Sequence, residues 1–327
     1  MTNIQRVAQL AGVSVATVSR MINNTGNVTS KTRKKVERAI ADLDYVPNML
    51  ARNFRTSKSK SILVLLTSIS NMFYMEIVHG ISECANSNGY DILLSETDGF
   101  LDKQIKGLEK VKNHIADGAV ILESTIHDDV LLSMEEKYPV IQCCSFNEEI
   151  DLPYIIVDNE KSGVLAAEEL IAAGRRKFAF VGTNDRSMYN RKRRSGFLKT
   201  LRNNKISEEN IFVMNSSLGF EGGRCAVREL RDRNVDSFFF VSDMQAIGAM
   251  REFFENGVNV PRDVSIIGHD NLELCDVVIP PLTSISQPAR EMGSEAAKVL
   301  IGHIQGGEKI KGYKKIFQPE LVKRGSV

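Results

Sequence analysis

The sequence predicts two unlike parts: a small all-α module at the amino terminus and, from about residue 61, a larger α/β body. Three observations carry this. Residues 1–60 hold eleven Lys and Arg against three Asp and Glu, a surplus of +8; the 327-residue chain totals +1, so residues 61–327 carry −7. Apolar residues between Ile4 and Leu43 recur at helical spacing. Beyond Lys60, short apolar runs alternate with helical patterns, as buried parallel strands with crossover helices do. A basic head on an acidic body points to a polyanion-binding module joined to a part with another task.

In the head, Ile4, Val7, Ala8 and Ala11 form one apolar stripe, with Thr2 and Gln5 as a capping box before it. Gly12 suits the left-handed residue that ends a helix. Ser14 offers an N-cap for a second helix from Val15 to about Asn23, with Val18, Met21 and Ile22 inward and Thr17, Arg20 and Asn23 off the stripe. Thr29 or Ser30 caps a third helix to about Leu43, with Val36, Ala39, Ile40 and Leu43 inward. Two short helices separated by Gly12-Val13-Ser14 match a helix-turn-helix, whose second helix enters the DNA major groove.

In the body, strands are predicted at 61–67, 91–95, 119–123, 139–143, 178–182, 237–242, 264–269 and 282–286. Helical stretches at 73–88, 103–115, 160–173, 192–203, 220–233 and 243–256 lie between them. About 267 residues exceed one comfortable core, so two similar lobes are expected, with ligands bound beyond the carboxyl ends of the strands.

Several function classes are disfavoured. The start MTNIQRVAQL lacks a secretory apolar region, which predicts a cytoplasmic protein. The run Ile62–Leu66 is far short of the ~20 residues of a membrane helix. Cys84, Cys143, Cys144, Cys225 and Cys275 are odd in number and lack C-x-x-C spacing, so neither a disulfide framework nor a metal site is expected. Cys143 and Cys144 adjoin in a predicted strand, where they would point to opposite faces as small buried hydrophobes. The sequence has no phosphate-binding glycine motif, and His269 beside Asp270 makes no triad without a nucleophile, so no catalytic residue and no cofactor are expected. An enzyme acting on sugars and a solute-binding protein are the rival classes.

VAQLAGVSVATVSRMINN (residues 7–24) closely resembles the DNA-binding headpiece of the lactose/galactose repressor (LacI/GalR) family of bacterial regulators, and YVPNMLARNFRT (45–56) resembles its hinge. The resemblance continues along nearly the whole chain. It implies that Val15 and Ala16 occupy the positions that distinguish operators, and that Ser14, Thr17, Ser19, Arg20, Asn23, Thr29, Asn48, Ala51, Arg52 and Phe54 complete the DNA-contacting set. The chemistry agrees: Arg20 can donate twice to guanine, or else hold a phosphate, and Val15 can pack on a thymine methyl. Thr17 and Ser19 can also serve as local caps. Pro47–Thr56 is expected to become helical only when two copies meet on DNA. Phe54 stands where relatives wedge a Leu into the minor groove, and Asp44 where they usually have Gly.

For the body the resemblance implies two Rossmann-like subdomains of the periplasmic-binding-protein type (type I), joined by crossovers near Val157–Asp158, Gln287–Pro288 and Phe317–Gln318. The domain reading is a headpiece at 1–46, a hinge and linker at 47–60, and an effector-binding and dimerisation body at 61–327. Its subdomains are 61–157 with 288–317, and 158–287 with 318–327. The implied effector residues are Phe73 and Tyr74 in SISNMFYMEI, Arg193 in NRKRRSGF and Asp270 in IIGHDN, with Tyr189, Leu218 and Ser242 more peripheral. Met72 replaces the usual Pro of that first loop. Core packing is the other role open to Phe73 and Tyr74, and a charged helix start the other role for Arg193. Aligning PVIQCCSF puts Cys144 or Ser145 where relatives often carry an effector-contacting Asp. The expected protein is a homodimeric repressor on double-stranded palindromic operator DNA, controlled by a small-molecule effector, a sugar or sugar derivative, with a nucleoside or purine as the alternative. The tail PELVKRGSV carries no heptad for a coiled-coil tetramer.

Overall fold

The computed structural model describes residues 3–22, 27–45, 58–122, 128–135, 137–146, 152–184, 187–307 and 310–327. The chain divides into two compact units, Met1–Lys58 and Ser59–Val327.

The first unit is all-α: α1 (Asn3–Ala11), α2 (Val15–Ile22) and α3 (Ser30–Asp42). Val7, Ala8, Ala11, Val18, Met21, Val36 and Ala39 are buried together, and this small core sets how α1 and α2 cross. Gly12, at φ +64°, makes the turn, and the Val13 amide closes it on the Ala8 carbonyl at 3.0 Å. At the end of α3 the position where Gly was expected is left-handed, with Asp44 at φ +46°. Its amide donates to Ala41 O at 3.2 Å, and that of Tyr45 to Ile40 O at 3.0 Å. The geometry of a glycine cap is kept by a residue that tolerates it. Thr2 of the capping box lies outside the described residues, as do Asn23 and the hinge positions Asn48, Ala51, Arg52 and Phe54.

The second unit holds two six-stranded sheets. The first lobe contains β1 (Ser61–Leu66), α4 (Met72–Ser87), β2 (Asp91–Glu96), α5 (Leu101–Lys112), β3 (Gly118–Ile121), α6 (Asp128–Glu135), β4 (Val140–Cys143) and β5 (Tyr154–Val157). The chain then builds the second lobe: α7 (Asn159–Ala172), β6 (Phe178–Gly182), α8 (Met188–Asn203), β7 (Ile211–Asn215), α9 (Phe220–Leu230), β8 (Ser237–Phe240), α10 (Asp243–Glu255), β9 (Ser265–Asp270), α11 (Leu274–Val277) and β10 (Thr283–Ser286). It returns to the first with α12 (Ala289–Ile304) and β11 (Lys314–Phe317), and ends in the second with β12 (Glu320–Val322).

Strand order is β11-β5-β4-β3-β1-β2 in one sheet and β12-β10-β9-β8-β6-β7 in the other, the same winding twice. All pairings are parallel except β10 with β12. The four strands β5, β7, β11 and β12 are not among those predicted. β11 and β12 are half-buried or exposed edge strands without a continuous apolar run, whereas β5 (YIIV) and β7 (IFVM) do carry one. Asp117 fixes where β1 begins, accepting Ser59 N at 2.6 Å, Ser59 Oγ at 2.9 Å and Lys60 N at 3.0 Å.

Helix pairs flanking the sheets cross at reciprocal glycines. A Cβ on Gly163 of α7 would lie 2.0 Å from the Arg193 carbonyl, and one on Gly196 of α8 2.0 Å from the Glu160 carbonyl. Gly80 and Gly293 play the same part between α4 and α12. The α7–α8 contact matters most, because it seats the backbone of Arg193.

Candidate functional site

The residues singled out fall in two places: on α2, and at the carboxyl ends of the strands. On the first unit, Val15 is 40% exposed, Ala16 and Arg20 are exposed, and Thr17 and Ser19 are half-buried. Burial of Val18 and Met21 against α1 and α3 leaves that outer face of α2 presented. Ser14 caps the helix, its Oγ accepting the Thr17 amide at 3.2 Å and pairing with Thr17 Oγ1 at 2.9 Å. Thr29 caps α3, accepting the Thr32 amide at 3.3 Å. Ser14, Thr17 and Thr29 therefore hold helix ends whatever else they touch.

In the second unit a cavity of about 340 Å³ opens between the lobes. It lies where an open parallel sheet binds ligands, beyond the carboxyl ends of the strands. Phe73, Tyr74, Tyr189, Arg193, Leu218, Ser242 and Asp270 all line it. So do Asn71, Met72, Cys144, Met244, Leu272 and Gln287. Of these, Asn71, Met244, Leu272 and Gln287 are not singled out by the sequence. Asn71 caps a helix, Met244 lies in the first turn of one, Gln287 directly follows a strand and Leu272 lies two residues beyond one, and such positions are the signal that could have found them.

Arg193 is not at a charged helix start. Helix α8 begins at Met188, a turn earlier than predicted, so Arg193 points inward and is 5% exposed. Its Nε donates to Asn159 Oδ1 and its Nη1 to the Val241 carbonyl, both at 2.8 Å. The guanidinium carbon lies 5.0 Å from the centre of the Tyr189 ring, one turn back on the same helix. These contacts fix the fork in one orientation. Burial lowers its pKa from the ordinary arginine value, and the nearby Asp270 opposes that.

Asp270 is the last residue of β9 rather than a residue beyond it, and it sits at φ +114° with Asn271 following at +56°. Such backbone costs on the order of 1–3 kcal/mol for a non-glycine residue and persists only where surroundings hold it. They do here: the Asn271 amide donates to Ser284 Oγ at 3.0 Å, and the Leu272 amide to Asp243 Oδ2 at 2.8 Å. Gln287 Nε2 donates to Asp270 Oδ1 at 2.8 Å. Burial, reinforced by the neighbouring Asp243, pushes the Asp270 carboxyl well above the usual range, with Arg193 pulling the other way. His269, fully buried beside it, is held well below its ordinary pKa by burial and by Arg193. The site thus sets a guanidinium fork beside a carboxyl of raised pKa and a buried imidazole of lowered pKa. Ser242 caps α10, accepting the Gln245 amide at 3.3 Å, and donates to the Leu218 carbonyl at 2.9 Å.

The first lobe supplies a different wall. Asn71 caps α4, accepting the Phe73 amide at 3.1 Å, so Met72 serves where relatives have Pro and the helix still starts there. Phe73 and Tyr74, 7% and 8% exposed, belong to the lobe's core and line the cavity at once. Their two roles are not exclusive. At the fourth strand it is Cys144, not Ser145, that reaches the cavity. The predicted opposite facing of Cys143 and Cys144 is wrong: Cys143 ends β4, Cys144 turns to φ +73°, and the sulfurs approach to 3.7 Å. Left-handed backbone interrupts the strand alternation on which that expectation rested.

Among the described residues no group of three or more His, Cys, Asp or Glu could hold a metal ion. No described helix is long and apolar enough to cross a membrane.

Residues 3–48 match the model of bacterial regulatory proteins of the lacI family, and residues 167–327 that of a periplasmic binding protein-like domain. The chain is 33% identical to the HTH-type transcriptional repressor PurR of Photobacterium profundum, covering 100% of this chain and 99% of that one. It is 32% identical to catabolite control protein A of Priestia megaterium, covering 91% of each. Among solved structures, the lac repressor dimer bound to operator and the anti-inducer ONPF is 28% identical, with a TM-score of 0.87 over 98% of this chain and 97% of that one. A helix-turn-helix unit, a cavity between two like lobes and these similarities along the chain agree: the chain is a DNA-binding regulator rather than an enzyme, and it belongs to the lacI family of bacterial regulatory proteins.

Proposed function

We propose that the protein is a homodimeric transcriptional repressor whose affinity for a palindromic operator is set by a sugar or sugar derivative in the interlobe cavity. Residues 1–46 serve as the DNA reader and 47–60 as hinge and linker. Residues 61–327 form the effector-binding and dimerisation body. Val15, Ala16 and Arg20 read base edges, Thr17 and Ser19 assist, and Phe54 of the hinge serves as the minor-groove wedge. Two-fold pairing follows from the small reach of one short helix, and the solved relative is a dimer on its operator.

One observation carries the effector assignment: the buried fork of Arg193 and the carboxylate of Asp270 line one cavity whose remaining surface is largely aromatic and apolar. A guanidinium presents paired donors to adjacent hydroxyls, the Asp270 carboxyl accepts from another or, protonated, donates to it, and aromatic faces cover the apolar side of a pyranose or furanose ring. A cavity of about 340 Å³ suits a ligand of that size. Cys144 in place of a carboxylate favours a nucleoside as the second reading, since that corner offers a flat ring an apolar contact.

The effector acts only through its different affinity for the two lobe arrangements. A thermal-shift screen of sugars, sugar phosphates and nucleosides, followed by operator titration with each hit, tests this. A stabilising sugar that changes operator affinity and is recovered unchanged is the expected result. A stabilising ligand consumed by the protein would point to an enzyme.

A further inference from the structure

We infer that Cys143 and Cys144 form a two-thiol chelating site for a trivalent arsenical, opening on the interlobe cavity. Adjacent residues of a strand ordinarily send their side chains to opposite faces. Here Cys144 leaves the strand at φ +73° and folds its Sγ back to 3.7 Å from that of Cys143. Cys143 is fully buried in the first lobe's core, whereas Cys144 lines the cavity. One residue of the pair therefore lines the cavity and the other lies buried beside it.

The separation discriminates between the possible chemistries. The sulfurs at 3.7 Å are in van der Waals contact, near enough for one bridging atom to draw them together with little movement. A disulfide would require ~2.05 Å between sulfurs, and the ~3.8 Å between adjacent Cα atoms falls below the ~4.4–6.8 Å that disulfides span. A divalent cation needing four protein ligands is unsuited, because no third Cys, His, Asp or Glu completes a metal group among the described residues. An organoarsenic centre, R–As(OH)₂, needs only two sulfurs. Two As–O bonds break and two As–S bonds form, each thiol proton leaves with a hydroxyl group as water, and no atom changes oxidation state. Burial pushes the Cys144 pKa upward, so the resting thiol carries its proton and releases it to the departing hydroxyl as the As–S bond forms.

The site depends on the cavity and not on the regulatory reading, and a test without DNA keeps the two separable. Reduced full-length protein is incubated with phenylarsine oxide, and the adduct is read by native mass spectrometry and by protection of thiols from alkylation. One organoarsenic group per chain is expected, with Cys143 and Cys144 protected. An excess of monothiol should leave it in place and a dithiol should remove it. Joining two thiols in one chelate raises the apparent affinity by about 100-fold or more over a single thiol, so Cys144→Ser and Cys143→Ala should each lose that factor. Cys84→Ser and Cys225→Ser should keep it. Circular dichroism shows whether each variant is folded, and the surface-side Cys144→Ser serves if Cys143→Ala is not. An unchanged adduct in folded Cys144→Ser, no adduct on the native chain, or a Cys143–Cys144 disulfide under these reducing conditions would overturn the assignment.

Discussion

The two lobes repeat one strand order but hold their cavity residues in different ways. The second lobe contributes Arg193, Asp270 and Ser242, each tied by hydrogen bonds to its own backbone or side chains. The first contributes Phe73, Tyr74 and Cys144, held mainly by packing in its core, and the exposed Met72. Hydrogen-bonded polar groups specify orientation, and packed apolar groups accept shape. Under the proposed function, recognition falls to the second lobe and closure to the first. Leu272 and Met244 of the second lobe already pack against the core of the first, which gives that closure an apolar contact.

The most damaging way to break this comparison is at the glycine crossings. Gly196→Ala places a Cβ about where the Glu160 carbonyl stands, and Gly80→Ala does the same at the Arg290 carbonyl. Each should cost about 2–4 kcal/mol of stability, measured by denaturant unfolding. Only Gly196→Ala should also abolish effector binding in the protein that remains folded, because it displaces Arg193. Equal loss of binding in both variants would erase the distinction between lobes.

Arg193→Ala comes next. Removing a buried charge-assisted donor should weaken effector binding by about 2–3 kcal/mol, roughly 30- to 150-fold. Tyr74→Leu, on the packing side, should cost about 1 kcal/mol by calorimetry. A reversed order would move recognition to the first lobe.

Protonation separates the lobes further. Burial pushes Asp243 up to about 6, and it is fully enclosed, accepting from Ser284 Oγ at 2.6 Å. A carboxyl raised on folding binds its proton in the native state where the unfolded chain has released it. Its contribution is complete below about pH 4 and is lost as pH rises through about 6, on the order of 2–3 kcal/mol. Asp243→Asn should flatten the stability profile in that window relative to wild type. An unchanged slope would mean that Asp243 is ionised in the folded protein.

The DNA-reading face gives an effect of similar or smaller size, independent of either lobe. Arg20→Ala should cost about 1–3 kcal/mol on the operator and flatten preference at one base pair. Uniform weakening on all sequences would reassign Arg20 to a phosphate.

Periodicity in the chain exposes much of this architecture and little of its precision. The stripes Ile4–Ala11 and Val18–Ile22 name the small core because a helix with one buried face must repeat that way. The apolar runs of β1, β6, β8 and β9 are legible because both faces of those strands are covered. β11 and β12 are not, since edge strands need no such run. Resemblance points to Arg193 and Asp270, but the turn that buries Arg193 depends on α8 starting at Met188, and the φ of Asp270 depends on Ser284 and Asp243 far along the chain. Cys144 shows the limit most clearly. A single backbone angle reverses where its sulfur points, and no spacing rule carries that information.

Regulation of this kind rests on coupling between the cavity and the DNA reader. Its most direct test is operator affinity, with and without a ligand found by thermal shift, in wild type and in Arg193→Ala. A change of at least about 5-fold in wild type, with no change in the variant and equal ligand-free affinity in both, is predicted. A variant that responds to the ligand as wild type does would contradict it.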